Sequence, residues 1–213
     1  MKAWQKYSDY CFSGEWHIHT NYTDGQNSVA EYAEAASRLG IPLLAFTEHI
    51  RKQRNYSFEH FMQDIEQARA RHPDLIILSG CEAKVLPDGS LDCETDLLKS
   101  LDLVLFAFHS FPEDKNLYLS ALEQVIQSDL CDVWAHPGLF LKRHPKIFLS
   151  PQELKHILML MARHHVVMEI NKKYDLPGRD WISLYKELHA GCVLRGSDVH
   201  RVEDLAVCSD PYS

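Results

Sequence analysis

Long apolar runs, linkers and a signal sequence are all missing from this chain. No apolar stretch approaches the ~20 residues that a helix needs to span a bilayer, and residues 1–6 lack the apolar core of a signal peptide. No low-complexity or Pro/Gly/Ser-rich segment divides the sequence. The 213 residues therefore predict a single domain, residues 1–213, with no membrane association and a cytoplasmic location.

Basic residues and paired cysteines are also scarce. The 22 lysines and arginines are outnumbered by 30 acidic residues, which gives a net charge of −8. Binding to long nucleic acids rests on Lys and Arg neutralising phosphates, so that function is not favoured. The six cysteines include no Cys-x-x-Cys pair, which predicts free thiols in a reducing compartment. Cys81 and Cys131 are expected to fill core space.

Histidine, by contrast, is abundant, with 13 residues in the chain. Six short segments end in potential metal ligands, and each follows an apolar run that is typical of a β-strand. Together with an aspartate in the first loop, they supply nine candidate ligands: His17, His19, Asp24, His49, Glu82, His109, His136, Asp198 and His200. Imidazole and carboxylate groups of this kind suit zinc, iron or manganese.

Apolar runs and helix signals alternate along the whole chain. Strands are predicted at residues 14–20, 43–48, 75–86, 101–108, 133–135, 166–171 and 192–197. Ser28 and Ser150 each begin a predicted helix with a capping box, and further helices are predicted at 57–71, 117–126 and 180–189. Seven strand and helix units favour an α/β barrel over an open sheet.

In such barrels the active site lies at the carboxyl ends of the strands, and all nine candidate ligands fall there. Residues two apart on a strand point the same way, so His17 and His19 can share one ion. The alternative is that these residues are unrelated, since a lone buried histidine is usually a hydrogen-bonded core residue. It would require six strand ends to carry coordinating residues independently, so a metal centre is favoured.

The remaining histidines mostly fall in predicted helices or at their ends, where solvation is expected. They are His60, His72, His144, His156, His164, His165 and His189. His144 differs because it follows the fifth strand in a loop at the rim.

The ordered motifs of the chain resemble the PHP (polymerase and histidinol phosphatase) domain family. The resemblance runs from about His17 to Asp204. It is carried by His17-Ile18-His19, Thr47-Glu48-His49, Gly80-Cys81-Glu82, Phe108-His109-Ser110, Ala135-His136-Pro137-Gly138, Glu169-Ile170-Asn171 and Gly196-Ser197-Asp198-Val199-His200.

This resemblance implies a distorted (β/α)7 TIM-like barrel that binds up to three divalent ions at the C-terminal ends of its strands. By matching positions, it implies one ion on His17, His19, Glu82 and Asp198. A second would lie on Asp24, His49 and His200, and a third on Glu82, His109 and His136. One departure is Glu48, where the family more often has aspartate.

Clustered cations can hold a hydroxide near neutral pH and neutralise charge on phosphoryl oxygens. We therefore expect a phosphoric ester hydrolase with a metal-bridging hydroxide as nucleophile. Asp198 or His200 is expected to relay a proton to the leaving oxygen, with Arg201 beside them. Arginine favours bidentate contact with phosphate. The expected substrate-binding residues are Arg51, Arg54, Arg143 and Asn171, with lysines such as Lys172 and Lys173 ranked lower.

Four functions remain open. The favoured one is a histidinol-phosphate-phosphatase-like enzyme whose partner is a small phosphorylated substrate. Second is a 3′-end nuclease or nucleotide phosphatase, because residues 80–111 resemble the PHP domains of bacterial family-X DNA polymerases. An amidohydrolase also begins with His-x-His, but no lysine ends the fourth strand to bridge two metals. In a non-catalytic module, the ions would serve folding alone.

Overall fold

Seven parallel strands form the centre of the computed structural model, which describes residues 1–188 and 192–207. The strands are β1 (Glu15–Ile18), β2 (Leu43–Ile50), β3 (Ile76–Lys84), β4 (Leu103–Ala107), β5 (Val133–Trp134), β6 (Val167–Asn171) and β7 (Leu194–Gly196). Their order in the sheet is their order in the sequence. The helices are α1 (Ala3–Lys6), α2 (Val29–Leu39), α3 (Phe58–Arg71), α4 (Thr95–Lys99), α5 (Lys115–Gln127), α6 (Leu139–Arg143), α7 (Pro151–Arg163) and α8 (Arg179–Leu188).

The first and last strands meet and nearly close the sheet. Ile18 and Val199 form a parallel bridge, in which the His19 amide donates to the Val199 carbonyl at 2.8 Å. The Val199 amide donates in turn to the His17 carbonyl at 2.9 Å. We call this contact the β1–β7 seam. The predicted distorted (β/α)7 barrel is thus confirmed.

Local sequence signals explain where the longer helices begin. Ser28 accepts a hydrogen bond from the Glu31 amide at 3.3 Å, and the Glu31 carboxylate accepts from the Ser28 amide at 2.8 Å. α2 ends at Gly40, whose φ of 71° suits a residue without a side chain. Ser150 and Glu153 form the second predicted capping box.

The strand boundaries differ from the prediction by at most two residues. β2 extends two residues past the predicted end at residue 48, which places His49 on the strand itself. The short helices α1, α4 and α6, of four or five residues, were not predicted because they are too brief to show a helical period.

Core packing follows the apolar runs. β4 is buried over its whole length, as expected for a parallel strand covered on both faces. Cys81 and Cys131 are buried, which confirms their predicted packing role, and the five described cysteines are free thiols. Cys208 and His189 lie outside the described residues. Within those residues, no helix has the length and apolar character to cross a membrane.

A buried ion pair lies beside the β1–β7 seam. Arg195 Nη2 lies 3.1 Å from Glu15 Oε2, and both side chains are nearly inaccessible to solvent. The other Glu15 oxygen accepts from the Ser197 amide at 2.7 Å. Burial raises the pKa of Glu15, and the Arg195 charge is the largest influence that opposes this rise.

Replacing Arg195 by methionine should lower the free energy of unfolding by about 3–5 kcal/mol, because it leaves a buried carboxylate without its cation. Urea denaturation would measure this loss. The matched control is Arg38→Met on the exposed face of α2, which should change stability by less than about 0.5 kcal/mol. Equal effects of the two substitutions would contradict the assigned role of the pair.

Candidate metal centre

The structure brings all nine predicted ligands together at the C-terminal rim of the barrel. His17, His49 and Glu82 lie on β1, β2 and β3. The others occupy the segments that follow strands: His19 and Asp24 after β1, His109 after β4, His136 after β5, and Asp198 and His200 after β7. The convergence arises because parallel strands end at the same edge of the barrel, and six of the seven strand ends, all except that of β6, contribute at least one predicted donor.

Glu82 occupies the centre of this cluster, with a side chain only 1% exposed. Its Oε1 atom lies 2.7 Å from His136 Nε2 and 3.1 Å from His109 Nε2. Its Oε2 atom lies 3.1 Å from His49 Nδ1, 3.5 Å from His19 Nε2 and 3.7 Å from His17 Nε2. A single carboxylate therefore faces five histidines.

Four groups of donor atoms are close enough to hold an ion, each within 4.8 Å of one another. They are His17, His19 and Glu82; His19, Asp198 and His200; His19, Asp24 and His49; and His49, Glu82 and His109. Asp24 Oδ2 also lies 3.4 Å from both His49 Nε2 and His200 Nε2. The division of the ligands among three ions, which the resemblance implies, remains a prediction. In each of the three proposed ligand sets, at least two members have donor atoms within 4 Å of each other.

The donor set fits a metal ion better than it fits internal hydrogen bonds. Nδ1 of His17 donates to Glu169 at 2.7 Å, so in the neutral ring Nε2 has a lone pair for a ligand. His17 Nε2 lies 3.1 Å from His19 Nε2, which is roughly the separation of two nitrogens that are each bound at ~2.1 Å to one ion. The buried Nδ1 atoms of His19 and His109 have no hydrogen-bond partner among the described residues.

Electrostatics keep the carboxylates of the cluster ionised. Burial alone would raise the pKa of Glu82, but the neighbouring His109 and His17 hold it well below its usual range. Burial likewise opposes ionisation of Asp198, yet hydrogen bonding with His19 lowers its pKa overall. The hydrogen bond from His49 lowers the pKa of Asp24. These three oxygen donors are therefore available as anions.

The histidines divide according to their neighbours. Burial lowers the pKa of His19 to about 4, so this imidazole is neutral at pH 7. Burial would also lower the pKa of His49, but Asp24 and Glu82 raise it to about 9. For His17, the Glu169 and Glu82 charges outweigh burial and raise the pKa well above its ordinary value. Divalent ions would compete with protons for these same nitrogen atoms.

The sequence analysis did not single out Glu169, which positions two of the predicted ligands. This carboxylate on β6 is 1% exposed and accepts a hydrogen bond from His17 Nδ1 through Oε1. Its Oε2 accepts from the backbone amide of His136 and, at 3.2 Å, from the Asn171 side chain. Gly196 leaves room for it, since a Cβ atom there would lie 1.8 Å from Oε1. The sequence signal that could have identified Glu169 is the Glu-x-Asn pattern at the end of β6.

Glu48 fixes the loop that carries Asp24. It is fully buried, and its Oε1 atom accepts from the Thr20 amide at 2.7 Å. Its Oε2 atom accepts from the Thr23 hydroxyl, one residue before Asp24. Burial raises the pKa of Glu48 despite these hydrogen bonds. The departure from aspartate at this position thus preserves a carboxylate that orders the loop.

Several predicted substrate-binding and catalytic residues already have partners. Arg54 Nη1 lies 2.8 Å from Glu94, and Arg201 Nη2 lies 3.0 Å from Asp204. Asn171 bonds to Glu169 and accepts from the Tyr174 amide at 3.2 Å. The buried Nη1 atom of Arg51 has no partner among the described residues. His144 at the end of α6 pairs with Glu113 at 3.0 Å.

A pocket of about 190 Å³ opens above the cluster. Its wall combines predicted ligands with four other side chains, namely Leu139, Arg143, Lys173 and Tyr174. Among the predicted substrate-binding residues, Arg143 is the one that lines this pocket. Lys173 Nζ lies 2.8 Å from Asp198 Oδ2 at its edge.

A closed parallel barrel with this donor set defines a metal-dependent phosphoesterase of the PHP type. Residues 15–187 match the family described as PHP domain. The chain therefore belongs to the PHP domain family.

Known proteins with related sequences or folds include a polymerase, a histidinol phosphate phosphatase and a candidate histidinol phosphatase. The chain is 28% identical over 201 residues to the DNA polymerase/3′-5′ exonuclease PolX of Bacillus subtilis (strain 168). That alignment covers 90% of this chain but 35% of the relative, so the chain spans about a third of the length of this relative.

Two solved structures share the fold. One is a Listeria monocytogenes protein described as a candidate histidinol phosphatase, with a TM-score of 0.74 and 17% identity over 94% of this chain and 100% of that one. The other is histidinol phosphate phosphatase from Lactococcus lactis subsp. lactis Il1403, complexed with zinc, L-histidinol and phosphate. It has a TM-score of 0.69 and 18% identity, over 88% of this chain and 86% of that one.

Proposed function

We propose that this protein is a phosphatase that hydrolyses small phosphomonoesters, with residues 1–213 as a single domain. The pocket above the cluster is the observation that carries this proposal. Its volume of about 190 Å³ is the room of roughly six waters. That space suits a phosphate with a few atoms of its ester, and both metal ligands and cationic side chains line it.

The metal ions would lie on the nine predicted ligands, up to three in number, with Glu82 shared between two of them. Zinc is the first choice because the Lactococcus lactis relative is described with zinc, and manganese and iron suit the same mixed donors. Bound there, such ions would lower the pKa of a water and neutralise charge on phosphoryl oxygens.

The protein's own groups prepare the site for that reaction. Glu169 holds the His17 ring so that Nε2 faces the cluster. His200 Nδ1 donates to the Asp198 carbonyl at 2.8 Å, which turns its Nε2 toward Asp24. Leu139 and Tyr174 cover part of the pocket, and the exclusion of water strengthens each electrostatic contact there. We assign to Asp198 or His200 the relay of a proton from the attacking water to the leaving oxygen.

A second candidate is a nuclease that acts on 3′ ends, or a nucleotide phosphatase. The sequence relationship to PolX favours it, since that relative is named as a 3′-5′ exonuclease. The net charge of −8 weighs against extended contact with a nucleic acid strand.

Protein purified without chelator should release phosphate from p-nitrophenyl phosphate and histidinol phosphate, and leave a labelled single-stranded oligonucleotide intact. Activity should return with Zn²⁺, Mn²⁺ or Fe²⁺ after chelation. Asp198→Ala should lower kcat/KM by about a thousandfold.

The outcome that opposes the proposal is shortening of the oligonucleotide without hydrolysis of any small ester. Full activity of Asp198→Ala with normal metal content would overturn the assigned centre. Asp175→Ala is the control, because this exposed residue does not line the pocket.

A further inference from the structure

We propose that Lys173 and Arg143 together bind the non-bridging oxygens of the substrate phosphate, as a cationic pair at the mouth of the metal pocket. The proposal rests on the proposed function and assigns its phosphate recognition. It retains Arg143 from the predicted substrate-binding residues and raises Lys173, which the sequence analysis ranked lower, to the same role.

Lys173 is held in place at the pocket wall. Its ammonium group lies 2.8 Å from Asp198 Oδ2 and 3.4 Å from the Asp198 carbonyl oxygen. Its Nζ lies 5.4 Å from the centre of the Tyr174 ring, and the side chain is 41% exposed. A lysine on an open surface would sample many rotamers, whereas this one is fixed with its charge beside a predicted ligand.

The ammonium group keeps donors for a further anion. Nδ1 of His200 lies 3.3 Å from Lys173 Nζ, but that nitrogen already donates to the Asp198 carbonyl and cannot accept. The Asp198 carboxylate is therefore the one anionic partner of Lys173 among the described residues. When Asp198 also ligates a cation, part of its charge is neutralised, and a phosphoryl oxygen becomes the better partner for the lysine.

Arg143 supplies the second charge. It is the last residue of α6 and lines the same pocket as Lys173. Its guanidinium group forms no ion pair or hydrogen bond within the described residues. Lys142, the neighbour of Arg143 on α6, donates through Nζ to the Tyr174 carbonyl at 3.0 Å. This hydrogen bond joins α6 to the segment that carries Lys173 and Tyr174. The guanidinium can therefore meet a bound phosphate in bidentate geometry.

Three other candidate cations are paired elsewhere, and Arg51, whose buried Nη1 has no partner among the described residues, does not line the pocket. Arg54 is paired with Glu94, Arg201 with Asp204, and Arg195 with the buried Glu15. None of these three lines the pocket above the cluster. To bind phosphate, each of these three arginines would have to leave its carboxylate partner. Arg143 and Lys173 already line the pocket and need no such rearrangement.

Two cations beside a metal cluster favour a terminal phosphate over a diester. A phosphomonoester dianion carries one more negative charge than a phosphodiester and exposes three non-bridging oxygens instead of two. The pair can thus bind oxygens that the ions leave free. This assigns the preferred substrate class as dianionic monoesters.

Binding of inorganic phosphate to the metal-loaded protein tests the pair directly, by calorimetric titration and by product inhibition. Lys173→Met should weaken phosphate binding by about ten- to a hundredfold, the effect of losing a hydrogen bond between charged groups. Arg143→Met should weaken it by about fivefold, because this side chain is exposed and no partner among the described residues holds it in place. Lys173→Arg should recover part of the loss. Lys146→Met is the matched control, because this exposed lysine after α6 does not line the pocket.

Elemental analysis separates phosphate binding from metal retention. We expect unchanged metal content in Lys173→Met, with a higher KM and a weaker phosphate affinity. Unchanged phosphate affinity, or a loss equal to that of Lys146→Met, would overturn the pair. Loss of metal would show that Lys173 serves only to neutralise Asp198. If the wild-type protein hydrolysed no phosphomonoester but bound phosphate through Lys173, the proposed function would fail while the pair stood.

Discussion

Glu82→Gln should remove most of the activity, with kcat/KM lower by at least about a thousandfold, and should also lower the metal content. Glutamine keeps the volume of the side chain, so the barrel should remain folded. However, it has one acceptor oxygen where glutamate has two, it carries no negative charge, and its NH₂ group cannot bind a cation. Because Glu82 faces five histidines, the substitution affects more than one predicted ion.

Elemental analysis and steady-state kinetics on the same preparation would measure both effects. Glu123→Gln is the matched control, since this residue lies on α5 and pairs with His156 on the outside of the barrel. It should retain full metal content and activity. A Glu82→Gln protein with wild-type metal content and wild-type turnover would refute the central role of this carboxylate.

Glu169→Gln should weaken metal affinity by about ten- to a hundredfold, although Glu169 is not a predicted ligand. Its two oxygens accept from two different donors, the His17 ring and the His136 amide. In glutamine, one oxygen becomes an NH₂ group that must face one of these donors. Either the His17 ring loses its orientation or the backbone before α6 shifts.

Competition for zinc with a coloured chelator would measure this change without reference to turnover. Gly196→Ala should produce a similar loss by a separate route, because its Cβ atom would lie 1.8 Å from Glu169 Oε1 and displace the carboxylate. Glu187→Gln on the exposed face of α8 should have no effect. Wild-type zinc affinity in both Glu169→Gln and Gly196→Ala would show that Glu169 has no part in orienting the ligands.

The sequence was sufficient for the barrel and for the convergence of donors because both depend on local patterns. Apolar runs located the seven strands, and a histidine, aspartate or glutamate at the end of a parallel strand has one possible edge of the sheet to occupy. His17 and His19 needed only the two-residue repeat of a strand. The exact bounds of β2 did not follow, because the apolar run gave no signal that pairing with β3 continues to Ile50.

Roles that depend on contacts between distant segments could not be predicted in the same way. Glu169 matters because β6 brings it beside His17, a separation of 152 residues along the chain. Arg54 seemed as suitable for phosphate as Arg143 until the fold placed Glu94 beside it. The sequence shows that a residue in a rim loop is basic. It does not show which carboxylate the fold will place beside that residue.

The β1–β7 seam has a consequence for how the protein matures. The hydrogen bonds of the seam join His17 and His19 to Val199, and the residues on either side of Val199 are Asp198 and His200. A nascent chain exposes its first histidines long before this last pair has been synthesised. With the nine ligands as predicted, the cluster is complete only once the segment after β7 has paired with β1. A metal ion bound to ligands from both segments would therefore stabilise the closed barrel. Each tenfold increase in free metal above its Kd then adds about 1.4 kcal/mol to the stability of the closed barrel.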